Sequence, residues 1–79
     1  MIHAEATLYP LKTSNASQVI NRSIDALKQE KIEYSVGPMA THIHGNEDDV
    51  WNSLKNLFDQ PKQSGGEVSL VVTITNAAD

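Results

Sequence analysis

The spacing of apolar residues switches between two repeats along this chain of 79 residues, and that switching limits its fold more than any other feature. Over residues 2–10, Ile2, Ala4, Ala6 and Leu8 alternate with His3, Glu5, Thr7 and Tyr9. Successive strand side chains point to opposite faces of a sheet. The pattern therefore predicts a strand with one buried face and one face of acid, hydroxyl, phenol and imidazole groups. Pro10 has no amide hydrogen to give to a ladder and is expected to end this strand.

The repeat then lengthens. Asn15 is a candidate helix cap, and Ile20, Ile24 and Leu27, flanked by Val19 and Ala26, form one helical stripe. Arg22, Asp25, Lys28 and Gln29 lie on the other side, so a helix is predicted over 16–30. Alternation returns over 32–36, and Gly37-Pro38 marks a turn. A further strand is predicted over 39–44, with Met39, Thr41 and Ile43 opposite Ala40, His42 and His44; the short link makes the two strands a hairpin. Gly45 breaks that strand and Asn46 caps a second helix, whose first turn carries Glu47, Asp48 and Asp49. Three carboxylates there complement the positive end of the helix dipole, which explains the acid run without invoking a metal. Val50, Leu54 and Leu57 form the core stripe, widened by Trp51 and Phe58. Pro61 and the polar residues 62–66 are expected to end the helix as a loop. Val68, Leu70, Val72 and Ile74 share one face of a last strand over 68–74, and residues 76–79 are expected to fray.

The order β-α-β-β-α-β, with right-handed crossovers, gives an α+β, ferredoxin-like βαββαβ sandwich. Its four-stranded antiparallel sheet has the first and third strands at the centre and two helices on one face. A single domain over 1–79 is expected, near the smallest size at which one core holds without staples. The other sheet face is left bare, and function or self-association should sit there.

Composition removes several functions. The net charge is −4, Arg22 is the single arginine and no basic cluster exists, so nucleic acid is not an expected partner. No apolar run approaches the roughly 20 residues of a membrane span, and the N-terminus lacks a basic-then-apolar signal, so a cytoplasmic location is expected. The absence of cysteine removes disulfides, thiol chemistry and the CxxC pair of a metallochaperone. No nucleophile–base spacing can be nominated, so the chain is not read as an enzyme and no cofactor is expected.

Two motifs carry a resemblance. Ala4-Glu5-Ala6-Thr7-Leu8-Tyr9-Pro10-Leu11 is followed, after one helix, by Tyr34-Ser35-Val36-Gly37-Pro38-Met39-Ala40-Thr41, then by Gly45 before an acidic helix start. In order and spacing this resembles the YkoF-like thiamine-binding family, which pairs an S/T-L-Y-P first strand with a P-M-x-T-x-x-x-G hairpin strand. The resemblance implies non-catalytic binding of thiamine or its hydroxymethylpyrimidine portion, in support of uptake or salvage. It also implies self-association through the sheets, as a dimer or tetramer. It carries Thr7, Tyr9 and Thr41 over as ligand-binding residues. Chemistry adds Glu5, which can accept from the pyrimidine amine or offset the thiazolium cation. Thr7 and Thr41 can give or accept hydrogen bonds at the ring edge, and Tyr9 can stack on a ring. Simple alternation nevertheless sets Thr41 facing the helices and Thr7 and Tyr9 facing away from them. Thr41 must then lie near a bulge or sheet end, or the pocket must wrap around an edge.

Two other readings remain open in the sequence. The bare face can serve only to meet another subunit, making the chain a structural or regulatory oligomer module. Alternatively, His42 and His44 share a strand face, and His3 can approach His44 if the first and third strands are antiparallel neighbours. Three imidazoles within reach suit Zn²⁺ or Cu²⁺.

Overall fold

The computed structural model describes residues 1–12, 14–63 and 67–77. The elements are β1 (Ile2–Leu11), α1 (Ala16–Ala26) followed by a 3-10 turn (Leu27–Gln29), β2 (Glu33–Val36), β3 (Thr41–Gly45), α2 (Glu47–Gln63) and β4 (Glu67–Thr75). All three strand pairs are antiparallel and the sheet order is β2-β3-β1-β4. This is the ferredoxin-like α+β arrangement, with β1 and β3 at the centre as the element order with right-handed crossovers predicts.

Residues paired across neighbouring strands share a face, so the register sorts every side chain. Tyr34, Ile43, Ala4 and Ile74 form one row toward the helices, and Val36, Thr41, Ala6 and Val72 the next. The opposite face carries the row Glu33, His44, His3, Thr75 and the row Ser35, His42, Glu5, Thr73. Ile2, Ala4, Ala6, Leu27, Ile43, Val50, Leu54 and Leu57 make the buried core, with Ile32, Tyr34, Leu70, Val72 and Ile74 packed against it. Small residues sit at its centre: Ala4 and Ala6 on β1 meet helices that bring the fully buried Ser23 and Ser53. Each serine hydroxyl donates to the carbonyl four residues back, Ser23 to Val19 at 3.1 Å and Ser53 to Asp49 at 2.7 Å. Both hydroxyls are thereby satisfied without reaching across the core.

The capping of α2 follows the sequence. The Asp49 amide donates to Asn46 Oδ1 at 3.0 Å, while Asn46 Nδ2 donates back to Asp49 Oδ2 at 2.6 Å. At α1 the bond at the cap position is a backbone one, from the Val19 amide to the Asn15 carbonyl at 3.1 Å.

Several expected boundaries move. Pro10 does not end β1, which runs to Leu11 and pairs Pro10 with Val68. Pairing with β3 has already stopped at Ala6, so at Pro10 the strand is paired on one side only, a position where proline is tolerated. The strand ends instead at Lys12, whose φ of 54° turns the chain. The first helix stops being α-helical at Ala26 and tightens through the 3-10 turn, as helix ends often do, before Glu30 becomes extended. β2 starts one residue later than expected, at Glu33. β3 starts at Thr41 rather than residue 39, because the Gly37 amide donates to the Ala40 carbonyl at 2.9 Å and makes Pro38-Met39 the turn. α2 continues through Pro61 to Gln63. Proline there gives up the bond to the Leu57 carbonyl and its ring crowds that carbonyl, a cost confined to the last turn of the helix. Trp51 and Phe58 do not widen the core; they are 52% and 41% exposed. Both lie about 100° around the helix from the centre of the Val50–Leu57 stripe, pointing along the surface. Within the predicted loop 62–66 and tail 76–79, residues 64–66 and 78–79 lie outside the described residues.

Candidate functional site

A groove forms because β1 is longer than β3. β3 accompanies β1 only from Ile2 to Ala6, and from Thr7 onward no strand among the described residues lies on that side of β1. The Gly37–Ala40 turn closes the hairpin at this same level, and Thr7 Oγ1 donates to the Met39 carbonyl at 3.0 Å, tying strand to turn. The space left between them is about 210 Å³. Its walls are Ala6, Thr7 and Leu8 of β1, the hairpin turn with Val36 and Thr41, Ile20, Ser23 and Ile24 of α1, and Leu57 and Leu70 beneath. None of the lining side chains among the described residues is ionisable. Such a lining suits a small, flat, largely apolar group held by a few hydroxyl and main-chain contacts. Its polar side chains among the described residues are the hydroxyls of Thr7, Ser23 and Thr41.

This geometry accounts for the opposed orientations of the threonines. Thr41 is 8% exposed, opens β3 and pairs with Ala6 on the helix-side face. Thr7 belongs to the other face, but it stands where β3 has ended, so the groove passes around the strand end and both threonines line it. Glu5 and Tyr9 do not line it. Glu5 is exposed on the open face opposite His42, with its Oε1 3.6 Å from His42 Nδ1. Tyr9 is exposed opposite Ser69 of β4. The four sequence-nominated residues thus divide, Thr7 and Thr41 in the groove and Glu5 and Tyr9 flanking Thr7 along the open face of β1.

Ser23 is the lining residue with a polar side chain that the sequence did not nominate. A signal was there: it falls between Ile20 and Leu27 on the apolar stripe, where a polar residue faces inward. Met39 was assigned to a strand, yet its carbonyl is the acceptor that fixes Thr7.

The histidines gather elsewhere, on the open face. His3 pairs with His44 in register. Its ring centroid lies 5.6 Å from that of His44 and 5.9 Å from that of His42. As they stand, no three His, Asp or Glu side chains among the described residues converge on a point that holds a metal ion. No helix is long and apolar enough to cross a membrane among the described residues.

The family model described as thiamine-binding protein matches residues 4–79. A protein of Streptococcus pneumoniae has the same fold with a TM-score of 0.88 at 22% identity, over 98% of this chain and 87% of its own. A domain of unknown function from Bacillus cereus superposes with a TM-score of 0.85 at 23% identity, over 96% of this chain and 75% of its own. A candidate thiamine biosynthesis/salvage protein of Thermotoga maritima does so with a TM-score of 0.80 at 19% identity, over 96% and 83%. No curated protein matches the sequence.

Proposed function

The chain belongs to the thiamine-binding protein family, and on that premise we propose that it binds thiamine or the hydroxymethylpyrimidine portion of thiamine without transforming it. The observation that carries this reading is the groove at the end of β3, lined by Thr7 and Thr41 and free of ionisable side chains. Its 210 Å³ lies below the roughly 300–1,000 Å³ of pockets that enclose drug-sized ligands, which suits one ring rather than two. The aminopyrimidine ring takes the groove, with its edge on the threonine hydroxyls. The thiazolium then emerges past Thr7 onto the open face, between Tyr9, which stacks on the cation, and Glu5, which offsets its charge. The division of the four residues supports this, because a two-ring ligand needs two dissimilar surfaces. The protein acts as a cytoplasmic binder in vitamin uptake or salvage and associates as a dimer or tetramer.

Calorimetric titration of purified protein with thiamine and, separately, with hydroxymethylpyrimidine tests the assignment. Thr41→Val is expected to weaken both ligands about tenfold, the worth of one hydrogen bond left unmade. Tyr9→Ala is expected to weaken thiamine alone. No heat with either ligand at millimolar concentration overturns the function, and equal losses for both ligands in Tyr9→Ala overturn the two-surface pose.

A further inference from the structure

We propose that His3, His42 and His44 form a binding site for one zinc-class divalent cation on the open face of the sheet, with Glu5 and Glu33 as carboxylate partners of His42 and His44. All three histidines of the sequence stand together there. His42 and His44 point the same way from β3, and β1 sets His3 directly across from His44. The site lies toward the start of β1, on the other side of the sheet from the helices, and is separate from the groove around Thr41.

The spacing is close to what coordination requires. Two imidazoles that bind one tetrahedral ion through nitrogens about 2.0–2.1 Å from the metal have ring centres about 5 Å apart. The His3 ring is 5.6 Å from that of His44 and 5.9 Å from that of His42, within about 1 Å of that separation. The imidazoles do not converge on a point in the unliganded chain. Their side chains are half-exposed, however, and surface rotamers turn at little cost.

The carboxylates supply a second, independent indication. Glu5 Oε1 stands 3.6 Å from His42 Nδ1, and Glu33 Oε2 stands 3.7 Å from His44 Nδ1. These separations are too long for hydrogen bonds. They do set a carboxylate on the Nδ1 side of each ring and leave Nε2 for a ligand. A histidine bound to a metal characteristically donates its other ring N–H to a carboxylate, which fixes the ring and raises its basicity. The three rings and Glu33, with Tyr34 and Ser35, bound a depression of about 320 Å³, room for an ion and its remaining water ligands. Nitrogen-only inner ligation selects Zn²⁺, Ni²⁺ or Cu²⁺ over Mg²⁺ and Ca²⁺, which demand oxygen.

Titration of tag-free, chelator-treated protein with zinc chloride, followed by calorimetry, tests the site. One Zn²⁺ per chain is expected, with no heat from magnesium chloride. His44→Ala should lower zinc affinity at least a hundredfold and Glu33→Gln by about ten- to a hundredfold. On the unaltered chain, the imidazole ring proton resonances of all three histidines should move together as zinc is added, a readout that needs no variant to fold. Substoichiometric zinc, zinc affinity unchanged in His44→Ala, or movement of fewer than three ring signals overturns the proposal. Thiamine heats on His44→Ala protein report on the groove separately, so either assignment can fail without the other.

Discussion

Thr41 stands where a strand begins, a core wall ends and the groove opens, and few residues meet so many constraints. It pairs with Ala6 across the strands, and its hydroxyl is the group offered to a ligand in the proposed pose. Thr41→Val keeps shape and loses the hydroxyl, so the fold should persist with a melting temperature within a few degrees while ligand heats fall; thermal denaturation beside calorimetry separates the two. Gly45 is constrained by packing instead. A Cβ there would meet Ile32 Cγ2 at 3.2 Å and the Lys31 carbonyl oxygen at 3.6 Å. Gly45→Val should therefore destabilise by about 1–3 kcal/mol, the usual cost of overpacking, read as a lower urea midpoint with unchanged slope. At this scale the sequence was informative about which residues matter and less so about how they meet. Alternation assigned Thr7 and Thr41 to opposite faces correctly. It cannot reveal that the strand between those faces ends, because strand length beside a neighbour depends on the register and not on either strand's own residues.

The two helices solve one packing problem in the same way. Along α1 and its 3-10 turn the inward stripe reads Ile20, Ser23, Ile24, Leu27; in α2 it reads Val50, Ser53, Leu54, Leu57. Both put a serine at the same place in the stripe and return its hydroxyl to their own backbone. Ser53→Ala should thus alter stability by no more than about 0.5 kcal/mol, since alanine has the higher helix propensity and no partner across the core is orphaned. Ser53→Leu should destabilise by several-fold more through overpacking. Chemical denaturation of the pair distinguishes a space constraint from a hydrogen-bond constraint. Asn46→Ala removes the acceptor of the Asp49 amide and should cost about 1 kcal/mol by the same measurement. The cap was legible because asparagine before three acids has few other uses. The passage of α2 through Pro61 was not, since proline's penalty depends on how much helix remains beyond it.

The whole molecule presents one face finished by helices and one left bare. Along the bare face, β1 runs from His3 and Glu5 through Thr7 to Tyr9, and β4 contributes Val71, which is 57% exposed. The proposed dimer or tetramer has its contact on this face, and Val71 is the exposed apolar side chain that β4 brings to it. Val71→Lys should shift sedimentation toward the monomer without changing the far-ultraviolet circular dichroism; an unchanged sedimentation coefficient would place the subunit contact elsewhere. The element order was readable because each segment declares its own period, whereas the surface that meets another copy has no period to declare.

The register of β1 also sets how the chain reaches this state. His3 is flanked by His44 on one side and by Thr75 on the other, so the central strand stays half-paired until the last one arrives. A loop spanning most of the molecule must close before the sheet is complete, which places folding among the slower, high-contact-order domains of its size. Nascent chains released before residue 67 would leave the β4 side of β1 open to any other extended strand, and the route to aggregation runs through that edge.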